Sequence, residues 1–229
     1  MQQQEKKKDL FGKNALIYQD ADAAVTSRRT YNVAIGLTLV LGCLINALMA
    51  RYLTVPICRM NIWLSLILYA VGSFGGLILL NKTESVPLSI LCFLLLSVSM
   101  GLVVTRFAAA YTTASVNLVF LITLGVVALM TIASFAFPDV FLKMGSVLGF
   151  SLLGLIVVEL VVSLIFRVNQ VVTDYVAVFI FCGYIGYDWA VAQRRPVTVV
   201  NAVRSAASIF VDIVNLFIRL LSILGKKDD

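Results

Sequence analysis

The last apolar stretch of the chain carries polar side chains at regular intervals. Within residues 199–223 these are Arg204, Ser208, Asp212, Asn215, Arg219 and Ser222. At about 100° per residue of an α-helix, all six fall in a wedge of about 80° on one face. Two interpretations stay open: a fully paired structural network that holds this helix in a bundle, or the lining of a water-filled path with a proton- or ion-binding site.

A second acidic residue could join Asp212. Asp188 lies 24 residues before it and ends the segment Gly183-Tyr-Ile-Gly-Tyr-Asp188. Because the chain reverses near Pro196, the two aspartates can face each other on adjacent helices. Measured from that turn, however, their depths differ by about 9 Å at 1.5 Å per residue. The sequence therefore permits the contact without forcing it.

A meeting of Asp188 and Asp212 would have chemical consequences. Two carboxylates at close range in a low dielectric cannot both ionise cheaply, so they share a proton and act as a pH sensor. Fully ionised, they offer the hard oxygen ligands that Ca²⁺ prefers. We therefore predict the pair as a pH sensor and a transient calcium site.

Other charges also lie in or beside apolar stretches. Glu159 lies in the fifth, and Arg106 ends the third. Ionisable residues inside membrane spans are costly and by default mark functional sites. Both are possible counter-charges to other ionisable groups in the spans: Arg106 to an aspartate and Glu159 to an arginine.

The composition indicates whether this chain folds in water or in a membrane. Of its 229 residues, 61 % are hydrophobic and 13 % are charged, whereas soluble domains have about 45–50 % and about 25 %. A soluble enzyme or a nucleic-acid-binding domain is thereby excluded. The chain has no histidine, so triads and metal sites that need one are excluded as well. The net charge of +6 comes mostly from tails and loops, as membrane topology requires.

Seven apolar stretches can each cross a bilayer as an α-helix. We place these spans at 32–50, 61–80, 86–105, 114–136, 145–166, 175–192 and 199–223. The predicted fold is an all-α polytopic membrane protein, with a polar cytoplasmic tail at residues 1–30 and a seven-helix transmembrane domain at 31–229. No cofactor is expected beyond Ca²⁺ as a permeant ion.

Lys and Arg residues predict the orientation. The side that holds the N-terminus carries ten of them outside the spans and the other side carries six, which places the N-terminus in the cytoplasm. Short loops and the absence of a targeting extension favour the bacterial plasma (inner) membrane.

Two segments resemble the Bax-inhibitor-motif membrane proteins. They are Tyr187-Asp188 and the long run from Ser208 to Gly225, and the 24-residue aspartate spacing is similar to the calcium-leak branch of that family. The resemblance implies a seventh helix wrapped by the other six. It also implies a pH-sensitive Ca²⁺ leak with Asp188 and Asp212 as the pH sensor at the pore.

The resemblance also implies a cation that latches the aspartate of the seventh span. In the family this is an arginine near the end of the second span, where this chain has Leu79-Leu80-Asn81-Lys82. Lys82 is one candidate, and Arg204 or Arg106 can substitute for it. Glu159 matches no family motif, so it is either an extra cation site or the partner of an intramembrane arginine.

Two other functions compete with the leak. An intramembrane aspartyl protease also uses two facing aspartates, but its Gly-x-Gly-Asp motif is missing, since Ile209-Phe210-Val211 precedes Asp212. We therefore expect no enzymatic activity. A regulatory membrane protein that binds a membrane protease or another unidentified protein partner is the main alternative.

Overall fold

The computed structural model describes residues 27–162 and 171–228. These form α1 (Arg28–Tyr52), α2 (Thr54–Arg59), α3 (Ile62–Lys82), α4 (Val86–Ala108), α5 (Thr113–Ala136), α6 (Pro138–Val161), α7 (Val171–Arg194) and α8 (Val199–Leu224). All but the short α2 are long and apolar enough to cross a membrane. An α-helix satisfies its own backbone polar groups, which hydrocarbon cannot do. The prediction of an all-α polytopic protein with seven spans is confirmed.

Polar side chains mark the start of four spans. Each accepts a hydrogen bond from a backbone N–H in the first helical turn, as N-caps do. The caps are Ser27, Asn61, Thr112 and Thr198, at the starts of α1, α3, α5 and α8. Most of the predicted bounds differ from the observed ones by a few residues. The predicted tail at 1–30 lies outside the described residues except for its last four.

The fifth span is the boundary that the sequence misplaces most. It was expected at 145–166, whereas α6 begins at Pro138; residues 163–166 lie outside the described part. That expected start left Asp139 and Lys143 in the connection before the span. Pro138 nevertheless suits the first turn, where an N–H is not needed, and Asp139 complements the helix dipole there. Only Phe137 separates α5 from α6.

The last span is the central one. Fifteen of the 26 residues of α8 are buried, against three of the 24 in α6. α8 packs against α1, α4, α5 and α7, and more lightly against α3. α6 packs mainly on α7 and reaches α8 through the side chain of Glu159.

The bundle has two ends, which we name by the termini. The N-terminal face holds Ser27, the α3–α4 connection, Phe137 and the α7–α8 turn at 195–198. The C-terminal face holds α2, the α4–α5 connection at 109–112 and residues 225–228. There the chain end pairs with the α4–α5 connection, because Thr112 N donates to Lys226 O and Asp228 N donates to Ala110 O.

Candidate functional site

The α7–α8 hairpin brings the two predicted aspartates together inside the bundle. The carboxyl groups of Asp188 and Asp212 lie within hydrogen-bonding range of each other. Asp212 is 7 % exposed, and no donor in the described parts of the chain reaches its Oδ2. A buried carboxylate oxygen without a donor is costly unless a proton or a cation serves it.

The direction of the side chains reduces the offset in depth along the two helices. In an α-helix the Cα–Cβ bonds tilt toward the N-terminus. Along α7 that direction leads away from the turn, and along α8 it leads back toward the turn. We therefore expect Asp188 to lean deeper and Asp212 to lean shallower, which removes part of the difference in depth between their Cα atoms.

The two glycines before Asp188, Gly183 and Gly186, face α6. A side chain at Gly183 would overlap Leu148 of α6, and one at Gly186 would overlap Phe141 of α6. The Gly-rich segment thus lets α6 and α7 approach closely. Tyr187 in turn packs its ring over Gly145 of α6.

A polar cluster lies between the aspartates and the N-terminal face. The hydroxyl group of Tyr31 donates to Ala192 O at 3.1 Å and lies 3.1 Å from Ser205 Oγ. Arg195 Nη1 donates to the same Ser205 oxygen at 3.1 Å. Arg195 also acts electrostatically on Asp188. The sequence analysis did not single out Arg195, because it lies in the turn rather than in a span.

Two of the three cations predicted as latches, Arg204 and Arg106, bind helix ends instead of Asp212. Arg204 Nε donates to Leu80 O at 3.0 Å, and its Nη2 donates to Thr83 O and forms an ion pair of 2.9 Å with Glu84. These groups end α3, whose last carbonyls have no helical partner. Lys82 is exposed.

Arg106 caps the short helix α2. Its Nη2 donates to Ile57 O at 2.7 Å and to Met60 O. Helix C-termini attract cations because their carbonyl dipoles add up there. Arg106 therefore belongs to the C-terminal face, away from the aspartate pair.

Arg204→Gln is expected to lower the free energy of unfolding by about 1–3 kcal/mol, since it leaves carbonyls at the end of α3 without their charged donor. Thermal unfolding in detergent measures this change. The matched control is Arg194→Gln, because Arg194 forms one ion pair with Asp139 in which both side chains are more than half exposed; its cost is at most about 1 kcal/mol. Equal losses in the two variants would contradict the capping role.

Two members of the polar stripe bond within their own helix. Ser208 Oγ donates to Arg204 O at 3.5 Å, and Asn215 Nδ2 donates to Val211 O at 2.8 Å. The stripe is therefore not one continuous network between helices. Asp212 Oδ2 likewise has no hydrogen-bond partner among the described residues.

A second ionic cluster joins three spans near the C-terminal face. Arg219 Nη1 lies 2.7 Å from both Glu159 Oε1 and Asp174 Oδ1, and its Nη2 donates to Glu159 Oε2 at 2.9 Å. Ser222 Oγ donates to Asp174 Oδ2 at 2.6 Å. Glu159 thus pairs with an intramembrane arginine, the second of its two predicted alternatives. Burial raises the pKa of the nearby Tyr111, outside the spans, above its ordinary value.

Sequence reasoning missed Asp174. The sixth span was expected to begin at residue 175, whereas α7 begins at Val171, so an acidic residue at the apparent edge was discounted. The available signal was charge balance. An arginine inside a span needs an anionic partner at the same depth, and Asp174 stands near the start of the neighbouring span.

The described ranges offer no ready-made metal centre. They hold no group of three or more His, Cys, Asp or Glu side chains that could coordinate an ion, and Ca²⁺ takes about 6–8 oxygen ligands. Asp188 and Asp212 therefore do not by themselves make up such a group.

A bundle of seven spans with an ionisable pair beside its central helix defines a polytopic membrane protein with an internal carboxyl centre. Over residues 26–229 the chain matches the family described as "Inhibitor of apoptosis-promoting Bax1" and belongs to it. The resemblance that was based on Tyr187-Asp188 and the run from Ser208 to Gly225 is therefore confirmed at the level of the family.

One relative illustrates how far the similarity extends. An uncharacterized protein of Deinococcus radiodurans is 26 % identical over 136 residues, which are 56 % of this chain and 59 % of that protein. The match thus spans less than two thirds of the relative's length.

Proposed function

We propose that this integral, multi-pass membrane protein is a pH-sensitive leak channel for calcium and other cations, gated by protonation of the Asp188–Asp212 pair. The observation that carries the proposal is the meeting of two carboxyl groups inside the bundle, one of them with a buried oxygen that no described donor reaches. A purely structural pair would have its oxygens satisfied.

The shared proton supplies the gate. With one proton between them, Asp188 and Asp212 form a hydrogen bond that holds α7 against α8. When the pH rises and the proton leaves, two like charges face each other in a low dielectric and oppose this contact. Arg195 and Tyr184 are other titratable groups that interact with the pair. One arginine balances one of the two charges, so the leak is expected to increase with pH.

The polar stripe of α8 supplies the path. From Asp212 toward the C-terminal face, the stripe continues through Asn215 to Arg219. There, Glu159 and Asp174 together carry one negative charge more than the arginine when both are ionised. A net negative charge in a pathway favours cations over anions. Carboxylate and amide oxygens are the ligands that Ca²⁺ takes, which supports calcium among the permeant ions.

The membrane and the orientation belong to the same proposal. The excess of Lys and Arg on the N-terminal side, ten against six, supports a cytoplasmic N-terminus. The N-terminal face, with Arg195 and Ser205, then faces the cytoplasm, and the Arg219 cluster lies toward the other side. A bacterial plasma membrane fits the short connections between spans.

Flux through reconstituted wild-type protein tests the proposal. Liposomes loaded with a fluorescent calcium indicator are compared with protein-free liposomes between about pH 5 and pH 8, the range in which perturbed carboxyl groups titrate. We expect protein-dependent Ca²⁺ entry that increases with pH. Liposomes no leakier than protein-free ones at any pH would contradict the channel and favour the regulatory alternative. Cleavage of a membrane peptide that needs both aspartates would instead support a protease.

A further inference from the structure

A cavity of about 530 Å³ opens on the side of α8 that faces away from Asp212. Its walls come from α1, α4, α5 and α8, and the α8 wall consists of Phe210, Ile213, Val214 and Phe217. These four side chains lie opposite the polar stripe on the helix. The volume falls within the range of roughly 300–1,000 Å³ of ligand sites. The cavity is therefore a site separate from the aspartate pair.

One side of the cavity is open to the hydrocarbon. Phe120 and Leu124 line it on α5 and are 40 % and 43 % exposed. An opening at this position, between apolar walls, admits the acyl chain of a lipid from the surrounding bilayer. Water in the cavity would leave the apolar walls without favourable van der Waals contacts, whereas the CH₂ groups of an acyl chain supply them.

Two buried polar atoms in the cavity wall lack a hydrogen-bond partner among the described residues. Asn46 and Thr105 line the cavity and are 6 % and 0 % exposed, and neither Asn46 Oδ1 nor Thr105 Oγ1 has a hydrogen-bond partner among the described residues. Both lie one to two turns inside the C-terminal face. The ester and glycerol oxygens of a phospholipid occupy this boundary between hydrocarbon and headgroups, where Thr105 could donate to them.

The mouth of the cavity holds two opposite charges that do not meet. Arg51 lies in the last turn of α1 and Asp228 lies beyond α8, and both line the same cavity. Neither side chain forms an ion pair within the described parts of the chain. Opposite charges at one mouth suit a ligand that carries both signs, with a phosphate for Arg51 and an N–H-donating ammonium group for Asp228.

We propose that this cavity binds one phospholipid with a phosphoethanolamine headgroup. One acyl chain fills the space between α1 and α5, the phosphate pairs with Arg51, and the primary ammonium donates to Asp228. Phosphocholine has no N–H to donate and phosphoglycerol has no ammonium, so both lose the contact with Asp228.

Quenching of tryptophan fluorescence by brominated acyl chains tests this site. The full chain with Trp63→Phe, which removes a lipid-exposed tryptophan and leaves the buried Trp189 as the same background in every protein compared, receives a reporter in the cavity, Phe217→Trp. The control reporter is Phe150→Trp on the lipid-facing surface of α6, where Phe150 is 76 % exposed. In phosphatidylcholine vesicles we expect brominated phosphatidylethanolamine to quench the cavity reporter at about one tenth of the mole fraction that the control reporter needs, as one charge-assisted hydrogen bond allows.

Two further variants distinguish the headgroup from the acyl chain. Asp228→Asn and Arg51→Gln are expected to remove the preference for ethanolamine, whereas Arg59→Gln, an exposed arginine that does not line the cavity, keeps it. The proposal is overturned if brominated phosphatidylcholine or phosphatidylglycerol quenches the cavity reporter equally well. It is also overturned if both reporters need the same mole fraction, or if the cavity reporter stays unquenched because a second copy of the chain covers it.

Discussion

The Asp212→Asn protein in liposomes is expected to leak Ca²⁺ at a rate that no longer changes between about pH 5 and pH 8. Asparagine has nearly the shape of aspartate but does not ionise, and its amide donates a hydrogen bond to Asp188. The repulsion that opens the α7–α8 contact therefore never develops. Asp188→Asn should have the same effect, and the double variant should add little, because the two carboxyl groups act as one unit.

A matched carboxyl group provides the control for this result. Asp139 lies on α6 at the N-terminal face with a side chain that is 76 % exposed, so Asp139→Asn should keep the wild-type pH profile. Calcium flux measured with the same indicator and the same protein-to-lipid ratio compares the variants. An Asp212→Asn protein with an unchanged pH profile would exclude the aspartate pair as the gate, even if the wild type leaks. A wild-type leak that falls as the pH rises would contradict the repulsion step.

Arg219→Met is expected to lower the free energy of unfolding by about 3–5 kcal/mol, which is the loss when one partner of a buried ion pair is removed. Arg219 Nη1 forms ion pairs of 2.7 Å with Glu159 Oε1 on α6 and with Asp174 Oδ1 on α7. Without it, two carboxylates stay close together without their cation, and three helices lose their shared contact. Unfolding in detergent, followed by circular dichroism, measures the loss.

A second variant separates the buried charge from the lost contact. In the triple variant Arg219→Met, Glu159→Leu and Asp174→Leu, no charge remains unpaired, and apolar replacements of buried ion pairs are often neutral. We expect the triple variant to regain most of the stability that Arg219→Met loses. Equal instability of the single and triple variants would show that the cluster acts through specific contacts. A single variant as stable as Arg194→Gln would contradict its role as a clamp between α6, α7 and α8.

Local periodicity was sufficient to predict the spans and much of the polar stripe. Seven apolar stretches of sufficient length can satisfy their backbone only as helices in lipid, and the structure has seven such helices. The errors arose at helix ends, where charged residues were left outside the predicted spans. Pro138 and Asp139 start α6 inside the expected connection, and Asp174 lies within α7 although it was placed outside.

The partners of the intramembrane charges were harder to predict. Lys82 stands at the position where the family has its latch, and Arg204 or Arg106 were predicted as substitutes for it. The structure uses Arg204 and Arg106 to cap α3 and α2. A cation near a helix end binds the carbonyl groups there that have no hydrogen-bond donor within the helix. These carbonyls compete with Asp212 for the cation, and the hydropathy pattern does not show that competition.

The sequence by itself determined that the chain folds in a membrane, how many spans it has and which charged residues lie among them. These features depend only on composition and on the fixed rise of a helix. Only the tertiary structure decided which charges meet. Asp188 and Asp212 differ in depth along antiparallel helices, and their contact depends on the lean of each side chain and on how closely α6, α7 and α8 pack. Such distances arise from long-range packing, which no local spacing of residues specifies.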